Sequence, residues 1–250
     1  MTTRDRLKKV PGLVPVVRTA RTARLRARRS LQDARFVASR TQRSKRIEAY
    51  LRSHPIRRLQ LGTGANVYEG WLNTDVEDFK RENEIIYLDA RKRFPLPNES
   101  FDLVFCEHMI EHLTYSDGIA CLAECHRVLR PGGRIRVATP SLDHLITLYA
   151  PEQSELQERY VRWSINTFVA HADAPLPGFV LNNFFRDWGH QFIYDRQTLR
   201  HALESVGFTD VEEWPIGQSE TPDLVGLERH MRSVAEFNEY ETMAVEARKR

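Results

Sequence analysis

The chain has 250 residues, of which 41% are hydrophobic, and this suffices for one α/β domain with extensions. No stretch approaches the roughly 18 consecutive apolar residues that span a bilayer, and the first residues lack the apolar block of a secretory signal. We therefore expect a cytoplasmic protein rather than a membrane or secreted one.

The formal net charge of +3 is unevenly distributed. Residues 1–46 hold 15 Lys and Arg against Asp5 and Asp33, whereas the rest holds 22 basic and 32 acidic residues. We expect residues 1–46 to form a basic arm, helical or extended, that packs on the acidic body of the chain or on a second subunit in a homodimer. The alternative is contact with a polyanion or an anionic membrane surface. Nucleic acid is not favoured, because the arm lacks interleaved aromatic side chains for base stacking.

The first predicted strand, Leu59–Leu61, runs into the turn Gly62-Thr63-Gly64. A second short strand follows and ends on the carboxylate of Asp75. Glycine lets the backbone bend and approach a ligand without a Cβ, and a carboxylate at the end of the next strand suits a ribose diol. The pattern predicts a nucleoside-binding turn. The gap between Gly64 and Asp75 is too short for a full helix, so the first crossover must be abbreviated.

Three more apolar runs alternate with helical patterns: Ile85–Asp89, Phe101–Cys106 and Arg134–Thr139. This alternation indicates a parallel sheet covered on both faces, which binds ligands outside the carboxyl ends of its strands. Asp75, Asp89 and the residues after Cys106 should therefore project into one crevice beside Gly62 and Gly64.

The order of these motifs resembles the class I S-adenosylmethionine-dependent methyltransferases. The motifs are G-T-G-A from Gly62, a strand-end acid at Asp75, L-D-A from Leu88, F-D-L-V-F followed by E-H-M-I-E-H-L from Phe101, and L-R-P-G-G from Leu129. The resemblance covers residues 56 to 215, with a weaker echo in a final strand, Glu241 to Ala247. It implies a Rossmann-like, doubly wound, seven-stranded and mostly parallel sheet within a methyltransferase domain at residues 47–250, with an acceptor-side insertion around residues 145–192.

The resemblance also implies the cofactor, S-adenosyl-L-methionine, and the positions that hold it. Its methionine and ribose would lie over Gly62 and Gly64, and Asp75 would hold the ribose hydroxyls. Asp89 and Ala90 would contact the adenine, and the backbone near Cys106 and Glu107 the sulfonium end. The turn residues Thr63 and Asn66 complete this predicted cofactor site.

The segment Glu107–Leu113 should start a helix, which would place His108, Glu111 and His112 on one face. His-x-x-Glu-His also occurs in a class of zinc peptidases, but the surrounding sequence specifies a nucleoside pocket instead. Glu111 and His112 are candidates for a magnesium site, although His108 stands where a similar methyltransferase segment has a first Glu, which argues against a hard cation.

Methyl transfer to a hydroxyl requires removal of a proton, and histidine titrates in the useful range. The segment Thr139–His144 leaves the last of these strands at its carboxyl edge, close to where the methyl group should lie. His144 is therefore the first candidate general base. His108 and His112 are the alternates.

The segment Leu181–Asp195 combines aromatic and hydrogen-bonding side chains, a mixture that suits a sugar. Asp187, His190 and Tyr194 are the predicted acceptor contacts, whereas most of the aromatic side chains are expected in the core. G-H-x-x-x-Y-D before a helix also resembles methyltransferases encoded with bacterial polysaccharide enzymes, including enzymes that methylate mannose-type oligosaccharides.

We therefore expect methylation of a sugar or oligosaccharide hydroxyl. The alternatives are another small or lipid-linked hydroxyl, then nucleic-acid methylation. From a different class of protein, the alternative is a cofactor-binding interaction module without turnover.

Overall fold

A computed structural model describes residues 42–77, 84–170, 172–230 and 234–250. Residues 47–250 form one compact unit. Most of the predicted basic arm, residues 1–41, lies outside the described residues, so its partners stay a prediction. Among the described helices, none has the length and apolar character needed to cross a bilayer.

The described residues contain a seven-stranded sheet in the order β3-β2-β1-β4-β5-β7-β6. The strands are β1 (Arg58–Leu61), β2 (Trp71–Asp75), β3 (Ile86–Tyr87), β4 (Phe101–Glu107), β5 (Leu129–Pro140), β6 (Phe208–Trp214) and β7 (Thr242–Lys249). β1 to β5 pair in parallel, and β7 runs antiparallel to both β5 and β6. The predicted Rossmann-like, mostly parallel sheet is confirmed.

The central strands are buried on both faces, which explains their continuous apolar sequences. Leu59, Val104 and Phe105 are fully buried, and all five residues of β2 are buried. Chain order along the sheet reverses direction between β1 and β4, because β2 and β3 lie on one side and β4 and β5 on the other. Ligands of open α/β sheets bind at such a switch point, beyond the carboxyl ends of the strands.

Residues 62–70 connect β1 to β2 through turns and contain no helix. Gly62, Gly64 and Gly70 all have positive φ angles, and the N–H of Thr63 donates to the carbonyl of Thr74 at 3.1 Å. The chain therefore returns to the sheet within nine residues. The expected abbreviated crossover is confirmed.

In the described part of the chain, one helix precedes β1 and the others lie between later strands. They comprise residues 42–53, Tyr115–Val128, Leu142–Thr147, Glu155–Phe168, Pro177–Arg186, Arg196–Ser205 and Ala235–Glu241, with 3-10 turns at Ile110–His112 and Pro222–Leu224. The helices between β5 and His190 build a second apolar cluster, separate from the main core, around Tyr160, Ile165 and Phe184. This segment is the one expected to be the acceptor-side insertion.

The helix predicted to start in Glu107–Leu113 is absent. β4 continues through Glu107. The N–H of the next residue, His108, donates to the carbonyl of Ala138 near the end of β5. His108 then has a φ of +46°, and the helix begins only at Tyr115, after the Thr114 N-cap. The contact with β5 comes from a distant part of the chain, so the local spacing of side chains did not reveal it.

Candidate active site

Two adjoining cavities open at the carboxyl ends of β1, β2 and β4. We call the first the strand-end cavity; it measures about 550 Å³ and is lined by residues that include Asp75, Leu88, Ala90 and Met109. We call the second the histidine cavity; it measures about 320 Å³ and its lining includes His108, His112, His190 and His230. The two cavities adjoin, because five residues line both: Gly62, Gly64, His108, His112 and Trp188.

The two glycines of the turn have different roles. A Cβ on Gly62 would lie 2.3 Å from Met109 Cγ, so this glycine is required by packing against the loop after β4. A Cβ on Gly64 would meet no atom within 4 Å, because Gly64 faces the open cavities. Gly64 is thus the position where a ligand can approach the backbone closely without meeting a Cβ.

Two side chains, Gln60 and Thr63, hold the turn in place. The Thr63 hydroxyl lies 2.8 Å from Gln60 Oε1 and 2.9 Å from the carbonyl oxygen of Asn66, and Gln60 Nε2 donates to that same carbonyl at 3.0 Å. Thr63 and Asn66, both predicted cofactor residues, line the histidine cavity and also fix the turn. Gln60 was not predicted, yet it connects them.

Asp75 is nearly buried and lines the strand-end cavity. Its Oδ2 accepts from the N–H of Gly64 at 2.9 Å, and its Oδ1 accepts from the N–H of Glu77 at 3.0 Å. Burial raises the pKa of Asp75, and these backbone N–H groups act against that shift. A carboxylate has about four acceptor sites, so capacity remains for the two hydroxyls of a ribose.

Asp89 and Ala90 also line the strand-end cavity, but the Asp89 carboxylate is occupied. Arg91 donates to it from its backbone N–H at 3.1 Å, from Nε at 2.9 Å and from Nη2 at 3.0 Å. The hydrogen bonds from Arg91 lower the pKa of Asp89. A ligand in the cavity would therefore contact this segment mainly at its backbone and at Ala90, rather than at the Asp89 carboxylate.

Glu107 lines the histidine cavity and anchors a distant loop. Its Oε1 accepts from the N–H groups of Arg229 and His230, each at 2.7 Å. Burial raises the pKa of Glu107, and the N–H of His230 acts against that shift. The predicted cofactor residue thus also brings His230 into the cavity.

His108 and Glu111 form a buried pair, with Nδ1 and Oε1 3.3 Å apart. His108 Nε2 lies 3.1 Å from the Thr242 hydroxyl, and its ring stacks on that of His230 at a centroid distance of 3.9 Å. Burial acts to lower the pKa of His108, but the neighbouring Glu111 carboxylate outweighs burial and raises it. Burial likewise opposes the charged form of Glu111, yet His108 lowers its pKa overall.

His112 and His190 meet at the junction of the two cavities. His112 is exposed, and its ring lies edge-on to that of His190, with centroids 4.9 Å apart and planes at 71°. His190 Nδ1 donates to the carbonyl of Phe184 at 2.8 Å, which leaves Nε2 as the acceptor nitrogen. Burial lowers the pKa of His190 and so favours this neutral form.

The structure places His144 elsewhere. It lies in the first turn of the helix Leu142–Thr147, where its N–H donates to the Ser141 side chain at 3.3 Å. Its ring stacks near Tyr240, at a centroid distance of 6.0 Å, and lines a third cavity with Trp214 of β6. The capped helix directs the side chain toward β6, so His144 lines neither of the two adjoining cavities.

Two of the predicted acceptor contacts are also outside the cavities. Tyr194 is fully buried in the main core, with its hydroxyl directly over Gly118. Asp187 is exposed at the end of the helix Pro177–Arg186, where its carbonyl accepts from the N–H of His190. Of the three predicted residues, only His190 reaches the histidine cavity.

Several residues of the histidine cavity were not predicted, and Glu241 and Trp188 are the most informative. Glu241 is 4% exposed, and its Oε2 accepts from the Tyr160 hydroxyl at 2.5 Å. Burial raises the pKa of Glu241 to about 7. Trp188 is 43% exposed and has a φ of +58°. No local motif marks Glu241, which is more than 100 residues from the strands that form the site.

Comparison with known proteins gives a match over residues 56–137 to the family model described as a methyltransferase domain. This segment, about a third of the chain, contains β1 to β4 and the glycine turn. Among curated proteins, none matches the chain.

Solved structures with a similar fold include methyltransferases from several organisms. An S-adenosylmethionine-dependent methyltransferase from Mesorhizobium loti has 18% identity, covers 80% of this chain and 95% of its own, and gives a TM-score of 0.48. One from Archaeoglobus fulgidus has 17% identity, with 87% and 94% covered and a TM-score of 0.47. Phosphoethanolamine N-methyltransferase 2 of Haemonchus contortus, in complex with S-adenosyl-L-methionine, has 14% identity, with 82% and 52% covered and a TM-score of 0.41.

Proposed function

We propose that this chain is a class I S-adenosylmethionine-dependent methyltransferase and that it methylates a hydroxyl of a sugar or oligosaccharide. One observation carries the proposal: the strand-end cavity adjoins a second cavity that combines titratable side chains with exposed aromatic ones. Trp188 lines both spaces. A sugar has apolar ring faces and a hydroxyl-bearing edge, and it needs both kinds of lining.

The strand-end cavity fits the cofactor. Its volume of about 550 Å³ lies within the roughly 300–1,000 Å³ of small-molecule sites. Asp75 would accept from the ribose hydroxyls, and Gly64 leaves its backbone open at the turn. The backbone beside Ala90 would meet the adenine, because the Asp89 carboxylate is already held by Arg91. When bound, S-adenosylmethionine supplies an electrophilic methyl group on a sulfonium.

The acceptor would lie in the histidine cavity, against the aromatic side chains of the insertion. Phe168 and Phe184 each contact Trp188 edge-to-face, at centroid distances of 4.9 and 5.3 Å. Phe168 and Trp188 remain more than one-third exposed, whereas Phe184 is buried behind them. The buried ring supports the two exposed ones as a preformed stacking surface.

Glu241 is the proton acceptor in this proposal, in place of the histidine expected from sequence. It lines the histidine cavity, and its pKa of about 7 suits a general base at neutral pH. His108 is less available, because both of its ring nitrogens lie close to partners, Glu111 and Thr242. His112 lines both cavities and is the remaining histidine alternative.

Transfer of labelled methyl groups from S-adenosylmethionine tests the proposal. A panel of partly methylated oligosaccharides should accept the label, whereas RNA and phosphoethanolamine should not. Trp188→Ala should raise KM for the oligosaccharide about tenfold, as expected for a lost stacking contact of about 1.4 kcal/mol. Phe185→Ala is the matched control, since Phe185 is an exposed aromatic residue that lines neither cavity. Label in RNA or phosphoethanolamine, with none in sugars, would refute the proposal.

A further inference from the structure

We propose that Glu111, His112 and His190 bind a divalent transition-metal ion, of which zinc fits best, at the junction of the strand-end and histidine cavities. One ligand atom from each residue lies within 4.8 Å of the other two. Glu111 and His190 line the histidine cavity, and His112 lines both.

Backbone hydrogen bonds join the two halves of this site. The carbonyl of Glu111, in the 3-10 turn after β4, accepts from the N–H groups of Gln191 at 2.7 Å and Phe192 at 3.1 Å. His190 immediately precedes these donors. Two segments about 80 residues apart are therefore locked together at the point where their side chains converge.

The Glu111 carboxylate is the first observation that points to a bound cation. Its side chain is fully buried, and its Oε2 accepts from the Thr139 hydroxyl at 3.0 Å. Its Oε1 has no well-formed hydrogen bond and only the 3.3 Å approach of His108 Nδ1. This oxygen is buried without a hydrogen bond of its own, and a cation bound beside it would add to the approach of His108.

The orientation of His190 is the second and independent sign. Its Nδ1–H donates to the carbonyl of Phe184, so Nε2 carries the lone pair. Histidines that ligate metals almost always direct their other ring N–H at a carbonyl or carboxylate in this way. The edge-on His112 ring, 4.9 Å away, adds a second imidazole from the other side.

The donor set favours zinc and disfavours the magnesium expected from sequence. Two imidazoles and one carboxylate are a frequent set for catalytic zinc, and they leave a coordination position open. Related sets hold other transition metals, whereas magnesium prefers oxygen ligands and retained water.

A second trio, His108, His230 and Glu241, is also close enough to hold an ion. It is less suited to one, because the rings of His108 and His230 stack face to face and Glu241 already accepts from Tyr160. The trio of Glu111, His112 and His190 is therefore the one we assign.

The open position would face the histidine cavity. A hydroxyl oxygen of the acceptor bound there would lose its proton more readily and would be held in one orientation. This catalytic role rests on the proposed function, whereas metal binding itself does not. The two can therefore fail separately.

Calorimetric titration of tag-free protein, first treated with chelator and dialysed, tests the site directly. Zinc should bind at one ion per chain, cobalt should bind with a visible d–d absorption typical of low coordination, and magnesium should give no saturable heat. His112→Ala and His190→Ala should each weaken zinc binding about 100-fold or more, since even outer-shell changes at metal sites cost 10- to 100-fold. Glu111→Gln keeps an acceptor for the Thr139 hydroxyl but removes the negative charge, so it should also weaken zinc binding.

His201→Ala is the matched control, because His201 is an exposed helical histidine outside the cavities. Binding of S-adenosylhomocysteine to each variant reports whether the fold persists. The site is refuted if wild-type protein binds no stoichiometric zinc, or if His201→Ala weakens binding as much as His112→Ala and His190→Ala. Zinc binding without sugar methylation would leave the site intact and refute the proposed function. Sugar methylation by a protein that binds no zinc would refute the metal site and leave the proposed function intact.

Discussion

The Asp75 carboxylate accepts a hydrogen bond from the backbone N–H of Gly64 at 2.9 Å, which joins the end of β2 to the turn after β1. The same side chain lines the strand-end cavity with acceptor capacity to spare. Asp75→Asn keeps an oxygen for Gly64 but loses the charge that a ribose diol would meet. We expect it to weaken S-adenosylhomocysteine binding about 10- to 100-fold in calorimetry, because hydrogen bonds to charged groups contribute about 1.5–3 kcal/mol.

Asp89→Asn is the control for this prediction. Its carboxylate is held by Arg91 at 2.9 and 3.0 Å, so the variant should bind S-adenosylhomocysteine with a much smaller loss than Asp75→Asn. Equal losses in the two variants would contradict the assignment and would restore a direct role of the Asp89 side chain at the adenine.

The two glycines of the turn should respond differently to alanine. In Gly62→Ala the new methyl would lie 2.3 Å from Met109 Cγ at a φ of +64°, so we expect the free energy of unfolding to fall by about 3 kcal/mol from overpacking and strain. In Gly64→Ala the methyl would enter open space, and the positive φ alone should cost about 1 kcal/mol. S-adenosylhomocysteine binding should suffer more in Gly64→Ala.

Urea denaturation and calorimetry of both variants measure these effects. In the double variant Gly62→Ala/Met109→Ala the obstacle is removed, so the loss of stability should be smaller than the sum of the losses in the two single variants. A double variant whose losses simply add would show that Met109 is not the limiting contact.

These strands and their turn could be predicted from sequence because their causes are local. Buried parallel strands are continuous apolar runs, and the positive φ angles at Gly62 and Gly64 require glycine. The abbreviated crossover followed from simple counting between Gly64 and Asp75. The carboxyl-edge rule then placed Asp75 and Asp89 at the same cavity, as the structure has them.

The rest of the site depends on contacts between distant segments. The His108 N–H pairs with Ala138 in β5, and that bond ends the strand where side-chain spacing had indicated a helix. His144 lies in the helix that follows β5, and its side chain lines a different cavity beside β6. His230 and Glu241 enter the histidine cavity from the last quarter of the chain, and no local pattern marks either residue.

The loop that carries His230 should depend on a buried charge network. Arg136 is fully buried between Glu228, 2.5 Å from its Nε, and Glu246, 2.7 Å from its Nη1. Arg136→Met would leave two buried carboxylates without their partner, so we expect the free energy of unfolding to fall by about 3–5 kcal/mol in urea denaturation. Arg134→Met is the control, because Arg134 is partly exposed and 3.7 Å from Glu246, and it should cost about 1 kcal/mol or less. Similar losses in the two variants would contradict this account.

The stability of the protein should carry a pH dependence that originates at Glu241. Burial raises its folded pKa to about 7, against 4.5 for an ordinary glutamate, with Glu111 adding to the shift and His108 and Tyr160 opposing it. Because the folded pKa is the higher one, the contribution of this group is fully present below about pH 4.5 and is lost as the pH rises through 7. A difference of this size corresponds to about 3 kcal/mol. Glu241→Gln, which cannot titrate, should therefore gain about 3 kcal/mol relative to wild type between pH 4.5 and pH 8 in urea denaturation. If the difference in free energy of unfolding between the two proteins does not change with pH, Glu241 has the same pKa in the folded and unfolded chains. That result would also remove the reason for choosing Glu241 as the general base.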